Sequence, residues 1–122
     1  MVSRAHLAIM NATARGRNIP IPFTPPMECL PVARLPEGEE WIYELKLDGY
    51  RAQAIRDSKG VRVLSRNGKD LTKKYPFVVR DLSDAIAPDT ALDGELVAFD
   101  DAGNPSFNAL QNATTKTSVV FF

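Results

Sequence analysis

From residue 41 onward the chain alternates. Trp41, Tyr43, Leu45 and Leu47 interleave with Ile42, Glu44, Lys46 and Asp48, a period of two that predicts a strand over 41–48. Asp48-Gly49 then predicts a hairpin turn, with a return strand over 50–57 that puts Tyr50, Ala52 and Ala54 on one face. Ser58-Lys59-Gly60 is a second turn, 61–66 a third strand, and Asn67-Gly68 turns again, so the segment reads as an antiparallel meander. The period changes after Thr72. Tyr75, Val78, Val79, Leu82 and Ile86 recur at three- and four-residue spacing, which predicts an amphipathic helix over 73–86, capped by Thr72 and tolerating Pro76 near its start. Pro88-Asp89-Thr90 ends it. A strand over 91–100 follows, interrupted at Asp93-Gly94 and closed by Asp101-Ala102-Gly103. A short helix over 107–113 begins after Ser106, and the last strand covers 118–122. These elements describe an α+β fold, an antiparallel sheet with packed helices.

Residues 1–36 follow another rule. Pro20, Pro22, Pro25, Pro26, Pro31 and Pro36 exclude long helices and central strands there. The expected division is a flexible arm over 1–22 and a folded body over 23–122, with Phe23-Thr24-Pro25-Pro26-Met27 extended across the surface of that body. Residues 1–36 are locally basic, with Arg4, Arg15, Arg17 and Arg34 facing only Glu28. The whole chain is not: its 122 residues carry a formal net charge of zero, without the basic footprint of many nucleic-acid binders. One cysteine, Cys29, excludes an internal disulfide and is expected as a small, buried or half-buried hydrophobe. No stretch approaches a membrane span or a signal sequence, so a cytoplasmic protein is expected. His6 lies in the arm and has no assigned role. An ending on apolar Val119-Val120-Phe121-Phe122 leads to the expectation that the chain is the front part of something larger.

Three segments carry chemistry. Lys46-Leu47-Asp48-Gly49-Tyr50-Arg51 brings an amine, a carboxylate, a turn and a guanidinium close together. An unprotonated lysine there could attack the α-phosphate of ATP, forming a lysyl–AMP phosphoramidate and releasing pyrophosphate. The same residues also suit a plain hairpin with solvated charges. Ser65-Arg66-Asn67-Gly68 ends a strand with an arginine able to fork onto a phosphate, or forms an ordinary polar turn. Leu92-Asp93-Gly94-Glu95-Leu96-Val97 sets a carboxylate inside an apolar strand, so Glu95 is either a partly buried acceptor or an outward-facing residue.

In this order the three segments resemble the adenylation domain of ATP-dependent DNA ligases, from about Phe23 to Phe122. Phe23-Thr24-Pro25-Pro26-Met27 followed by Trp41-Ile42-Tyr43-Glu44 is most similar to the bacterial ligases that act with Ku in end joining. The resemblance implies an ATP-grasp-like covalent nucleotidyltransferase fold, incomplete here. It implies Lys46 as the nucleophile that takes AMP, with Glu44 reading the adenine. Arg51 and Arg66 would contact the nucleotide or the 5′-phosphate of a nick. Glu95 would bind the ribose hydroxyl, with a metal contact open to the same carboxylate, and Asp48 and Gly49 would shape the loop under Lys46. ATP and Mg²⁺ are the implied cofactors; nicked or broken duplex DNA, and Ku, are the implied partners. The reaction would be enzyme adenylylation, AMP transfer to a 5′-phosphate, and strand sealing in DNA repair and recombination. The family's later motifs, an adenine-stacking aromatic, a Glu-Gly metal carboxylate and a Lys-x-Lys pair, have no complete counterpart, and neither does its oligonucleotide-binding domain. Two other readings accompany this one: an inactive truncated remnant, and an RNA ligase or capping-type nucleotidyltransferase.

Overall fold

The computed structural model describes residues 20–122. Four strands and two helices follow in chain order: β1 (Tyr50–Asp57), β2 (Gly60–Ser65), α1 (Pro76–Ala85), β3 (Thr90–Ala98), α2 (Phe107–Gln111) and β4 (Val119–Phe121). The strands form one antiparallel sheet in the order β2-β1-β3-β4. The hairpin between β1 and β2 turns through Ser58 and Lys59, closing on the pair Asp57 and Gly60, where Gly60 takes a φ of 95°. The Asn67-Gly68 turn also forms, with Gly68 donating to the Ser65 carbonyl at 2.8 Å.

The strand expected over 41–48 does not form, and Asp48-Gly49 is not a hairpin turn. The reason is topological. β1 lies between β2 and β3, so both of its hydrogen-bonding edges are occupied and a preceding strand cannot form a hairpin with it. The alternation at 41–48 therefore leaves Ile42 at 73% and Leu45 at 92% exposure, while Trp41 and Leu47 are half-buried. Gly49 is required for a different reason from turn geometry: a Cβ there would lie 2.1 Å from the Leu96 carbonyl oxygen.

One face of the sheet builds the main core. Ala52, Ala54, Val63, Leu96 and Ala98 pack there with Tyr75, Val78 and Leu82 around α1 and Leu110 of α2. The small alanines of β1 let the helices approach the sheet closely. α1 begins later than expected, with Tyr75 at its N-cap and Pro76 in the first turn. Thr72 is not its cap; the Thr72 hydroxyl instead accepts from the Val63 N–H at 3.1 Å, covering the outer edge of β2. α2 is capped as its sequence suggests, Ser106 Oγ accepting from the Ala109 N–H at 3.2 Å. β3 runs through Asp93-Gly94 without a break, and Phe99 makes an isolated bridge to Pro105. Cys29 is exposed rather than half-buried.

Arg56 ties α1 to the sheet from below. Its Nη1 donates to the Ser83 carbonyl at 2.6 Å and also to that of Ile86, satisfying carbonyls at the helix C-terminus where positive charge is favoured. Arg56→Met is expected to lower unfolding stability by about 1–2 kcal/mol, because it removes charge-assisted bonds while keeping the apolar stem. Urea denaturation checks this; an unchanged midpoint would mean these carbonyls are equally well served by water.

Candidate functional site

The second face of the sheet is polar along β1. Arg51, Gln53 and Asp57 lie on it, with the buried Ile55 between the last two, and register sets Arg51 opposite Glu95 and Gln53 opposite Asp93. An extended segment, 21–28, crosses this face and is held by its backbone at every third residue. Asp57 Oδ2 accepts from the Ile21 N–H at 2.9 Å, while Arg62 Nη2 donates to the Ile21 carbonyl at 3.0 Å. Gln53 grips Thr24 reciprocally, its Oε1 accepting from the Thr24 N–H and its Nε2 donating to the Thr24 carbonyl, both at 3.1 Å. Arg51 Nη1 donates to the Met27 carbonyl at 2.7 Å. Three residues per turn is the period of an extended polyproline helix, which the prolines at 20, 22, 25 and 26 favour. The extended crossing expected for 23–27 is thus present. Of the arm expected over 1–22, residues 1–19 lie outside the described residues, and at Ile21 the chain is already bonded on both sides.

Asp57 is the deepest charge in this clamp, its side chain 0% exposed and paired with Arg62 at 2.6 Å. Burial pushes its carboxyl up, but the N–H donors of Lys59 and Ile21 and the Arg62 guanidinium outweigh that and hold it below the usual carboxylate range. A carboxylate so depressed contributes stability that is present above its unfolded pKa of about 3.9 and is lost as pH falls through the lower folded value. The stability gap between the native chain and Asp57→Asn should therefore be largest near neutrality and close as pH drops below about 4. Urea titrations across acid pH test it, and a gap that stays constant would show that Asp57 is not the titrating anchor.

Arg51 is forked. Its Nε and Nη2 reach the two Asp93 oxygens at 3.1 and 2.7 Å, a bidentate pair that fixes the guanidinium plane. The hydrogen bond from Asp93, with the nearby carboxylate charge, raises the Arg51 pKa further against partial desolvation, so this cation persists at all working pH. Arg66 pairs with Glu28, which stands next to Met27 on the crossing segment. Phe23, Pro26, Arg51, Ser65, Arg66 and Asp93 line a shallow, open depression. The Phe23 ring supports its floor from beside Gly68, 3.4 Å from where a Cβ would sit.

Glu95 lies two residues beyond Asp93 on β3. Its Oε1 accepts from the Gly49 N–H at 3.1 Å, which ties the loop after Lys46 to the sheet. Half-burial pushes the Glu95 carboxyl up; the Gly49 N–H and the positive charges of Lys46 and Arg51 act against this, and Asp48 reinforces it. Glu95 is therefore the partly buried acceptor, not an outward-facing strand residue. Lys46 and Glu44 are both exposed on the irregular stretch leading into β1. The structure brings Arg51, Asp93, Glu95 and the 46–49 loop together, with Arg66 in the adjoining depression. Among the described residues no group of three or more His, Cys, Asp or Glu side chains is positioned to hold a metal ion.

Sequence reading alone did not single out Gln53, Asp57 and Glu28, or the pairing of Asp93 with Arg51. The available signal was the polar residues at 51 and 53, each followed by an alanine, with a further carboxylate at 57.

The chain is similar to known proteins. The family model of the ATP dependent DNA ligase domain matches residues 29–120. The chain is 42% identical over 98 residues to the multifunctional non-homologous end joining protein LigD of Pseudomonas aeruginosa, covering 80% of this chain and 12% of that protein. It is 38% identical over 86 residues to the non-homologous end joining DNA repair protein LigD of Mycobacterium tuberculosis, 70% of this chain and 11% of that one. The crystal structure of the ligase domain of M. tuberculosis LigD superposes with a TM-score of 0.52 at 40% identity, over 65% of this chain and 26% of that domain. A mycobacterial DNA ligase D solved with ATP and MES matches to the same extent. The chain thus spans about an eighth of the curated relatives it matches first.

Proposed function

This chain belongs to the ATP-dependent DNA ligase family, and from that premise we propose that it carries the lysine-charging part of the nucleotidyl-transfer site. Lys46 is the nucleophile: its Nζ lone pair forms the P–N bond to the α-phosphate of ATP as the bond to the β-phosphate breaks, and pyrophosphate leaves with that electron pair. Glu95 accepts a ribose hydroxyl, Arg51 and Arg66 neutralise phosphate charge, and Glu44 contacts the base. Mg²⁺, when bound, would screen the leaving pyrophosphate; Glu95 is the carboxylate of this group available to contact it.

The observation that carries this reading is the contact between the Gly49 N–H and Glu95, which holds the Lys46 loop beside Arg51 and its carboxylate partner. AMP transfer to a 5′-phosphate and sealing of nicked or broken duplex DNA, with Ku as a partner in end joining, extend the proposal to the whole protein of which the matched relatives are examples. The test is covalent labelling: the purified chain is incubated with Mg²⁺ and α-labelled ATP, then denatured and assayed for protein-bound AMP. Label that GTP does not compete away supports a ligase-type site, whereas preference for GTP points to a capping-type enzyme. A folded chain that takes no label is a remnant without the first catalytic step.

A further inference from the structure

The crossing segment 21–28 ends on the two arginines of the site. Two consecutive residues serve them: the Met27 carbonyl, a neutral acceptor, takes one N–H of Arg51, and the Glu28 carboxylate pairs with Arg66. The two arginines are held very differently. Arg51 has three directed bonds, two of them to Asp93, and its side chain is 34% exposed. Arg66 meets Glu28 through Nη2, with the two side chains 59% and 72% exposed. An exposed pair of this kind is weak and exchanges readily, so the Arg66 donors are available to another anion. Any phosphate arriving at Arg66 meets a carboxylate already paired with it.

We infer that Glu28 is a resident counter-ion for Arg66, carried there by the 21–28 segment, and that an anionic ligand must displace it. The inference rests on the reading of Arg51 and Arg66 as phosphate-binding residues. The segment acts as a strap whose latch is Gln53. The Gln53 amide grips Thr24 on both its N–H and its carbonyl, four residues before Glu28, and Asp57 with Arg62 anchors the strap further back at Ile21. Glu28 is therefore delivered to Arg66 by backbone bonds that do not depend on its own charge. Removing that charge should raise anion affinity without moving the strap, and releasing the strap should do so by removing the carboxylate.

The experiment titrates the 122-residue chain with inorganic pyrophosphate at low ionic strength, following the arginine side-chain Nε–Hε resonances by NMR. Glu28→Gln is expected to bind pyrophosphate about threefold more tightly at Arg66. The gain should shrink at about 0.5 M salt, where exposed charges are screened. Gln53→Met, which removes both bonds to Thr24, is expected to raise affinity in the same direction, with faster hydrogen exchange at the Thr24 amide. Adding Glu28→Gln to it should then give little further gain, because both changes act through one contact. Equal affinities for the native chain and Glu28→Gln, with binding at Arg66 intact, overturn the counter-ion role and leave the anion site standing. Binding by neither protein overturns the role together with the phosphate-site reading beneath it.

Discussion

Gly94→Ala is expected to be strongly destabilising, at about 3 kcal/mol of unfolding stability. A Cβ at Gly94 would lie 2.1 Å from the Phe122 carbonyl oxygen and 2.7 Å from the Phe121 ring. The obstacle is backbone, and it cannot rotate away. Phe122 exchanges both backbone bonds with Glu95, at 2.8 and 2.9 Å, so the methyl group would force β4 off β3. Glu95 also accepts from the Gly49 N–H through its side chain, so the damage would reach the site. Gly103→Ala is the matched control: it takes a φ of 82°, with nothing within 4 Å of an added Cβ. That substitution carries only the left-handed backbone cost of about 1–2 kcal/mol. Urea denaturation of both variants separates steric from conformational cost. Equal losses would mean that β3 and β4 do not approach as closely as described.

Lys46→Arg should reduce the AMP adduct to below about one hundredth of the native level, as loss of a covalent nucleophile does. Arginine keeps the positive charge and nearly the same reach, but its guanidinium does not lose a proton in the working range and its lone pairs are delocalised. If Lys46 served only to attract phosphate, arginine would substitute well; if it forms the P–N bond, arginine fails. Stability should barely change, within about 0.5 kcal/mol, because Lys46 is exposed on a stretch without regular structure. The measurement is acid-stable versus acid-labile label on the denatured chain, since a phosphoramidate is lost in acid. Substantial labelling of Lys46→Arg would remove Lys46 from the nucleophile role.

The local signals in this chain are those with local causes. Ser58-Lys59 between alternating runs, Ser106 three residues before Ala109, and the spacing of Val78, Val79 and Leu82 determined a hairpin, a cap and a helix face, because turn chemistry and side-chain period act over a few residues. The order and residue types of the motifs at Lys46, Arg66 and Glu95 were equally legible, and with them the family. What alternation at 41–48 could not determine was whether a strand edge remained to pair with; β1 has β2 and β3 on its two edges, and that follows only from the assembled sheet. Gly49 and Gly94 look like turn residues in sequence, yet each is needed where another strand's backbone passes close by. Arg51 and Asp93 are 42 residues apart and Arg66 and Glu28 are 38 apart, so which carboxylate each arginine meets depends on strand register and on the strap's path. The sequence supplied the chemical groups; the tertiary structure alone decided which of them share a face, because that is a property of pairing between distant segments.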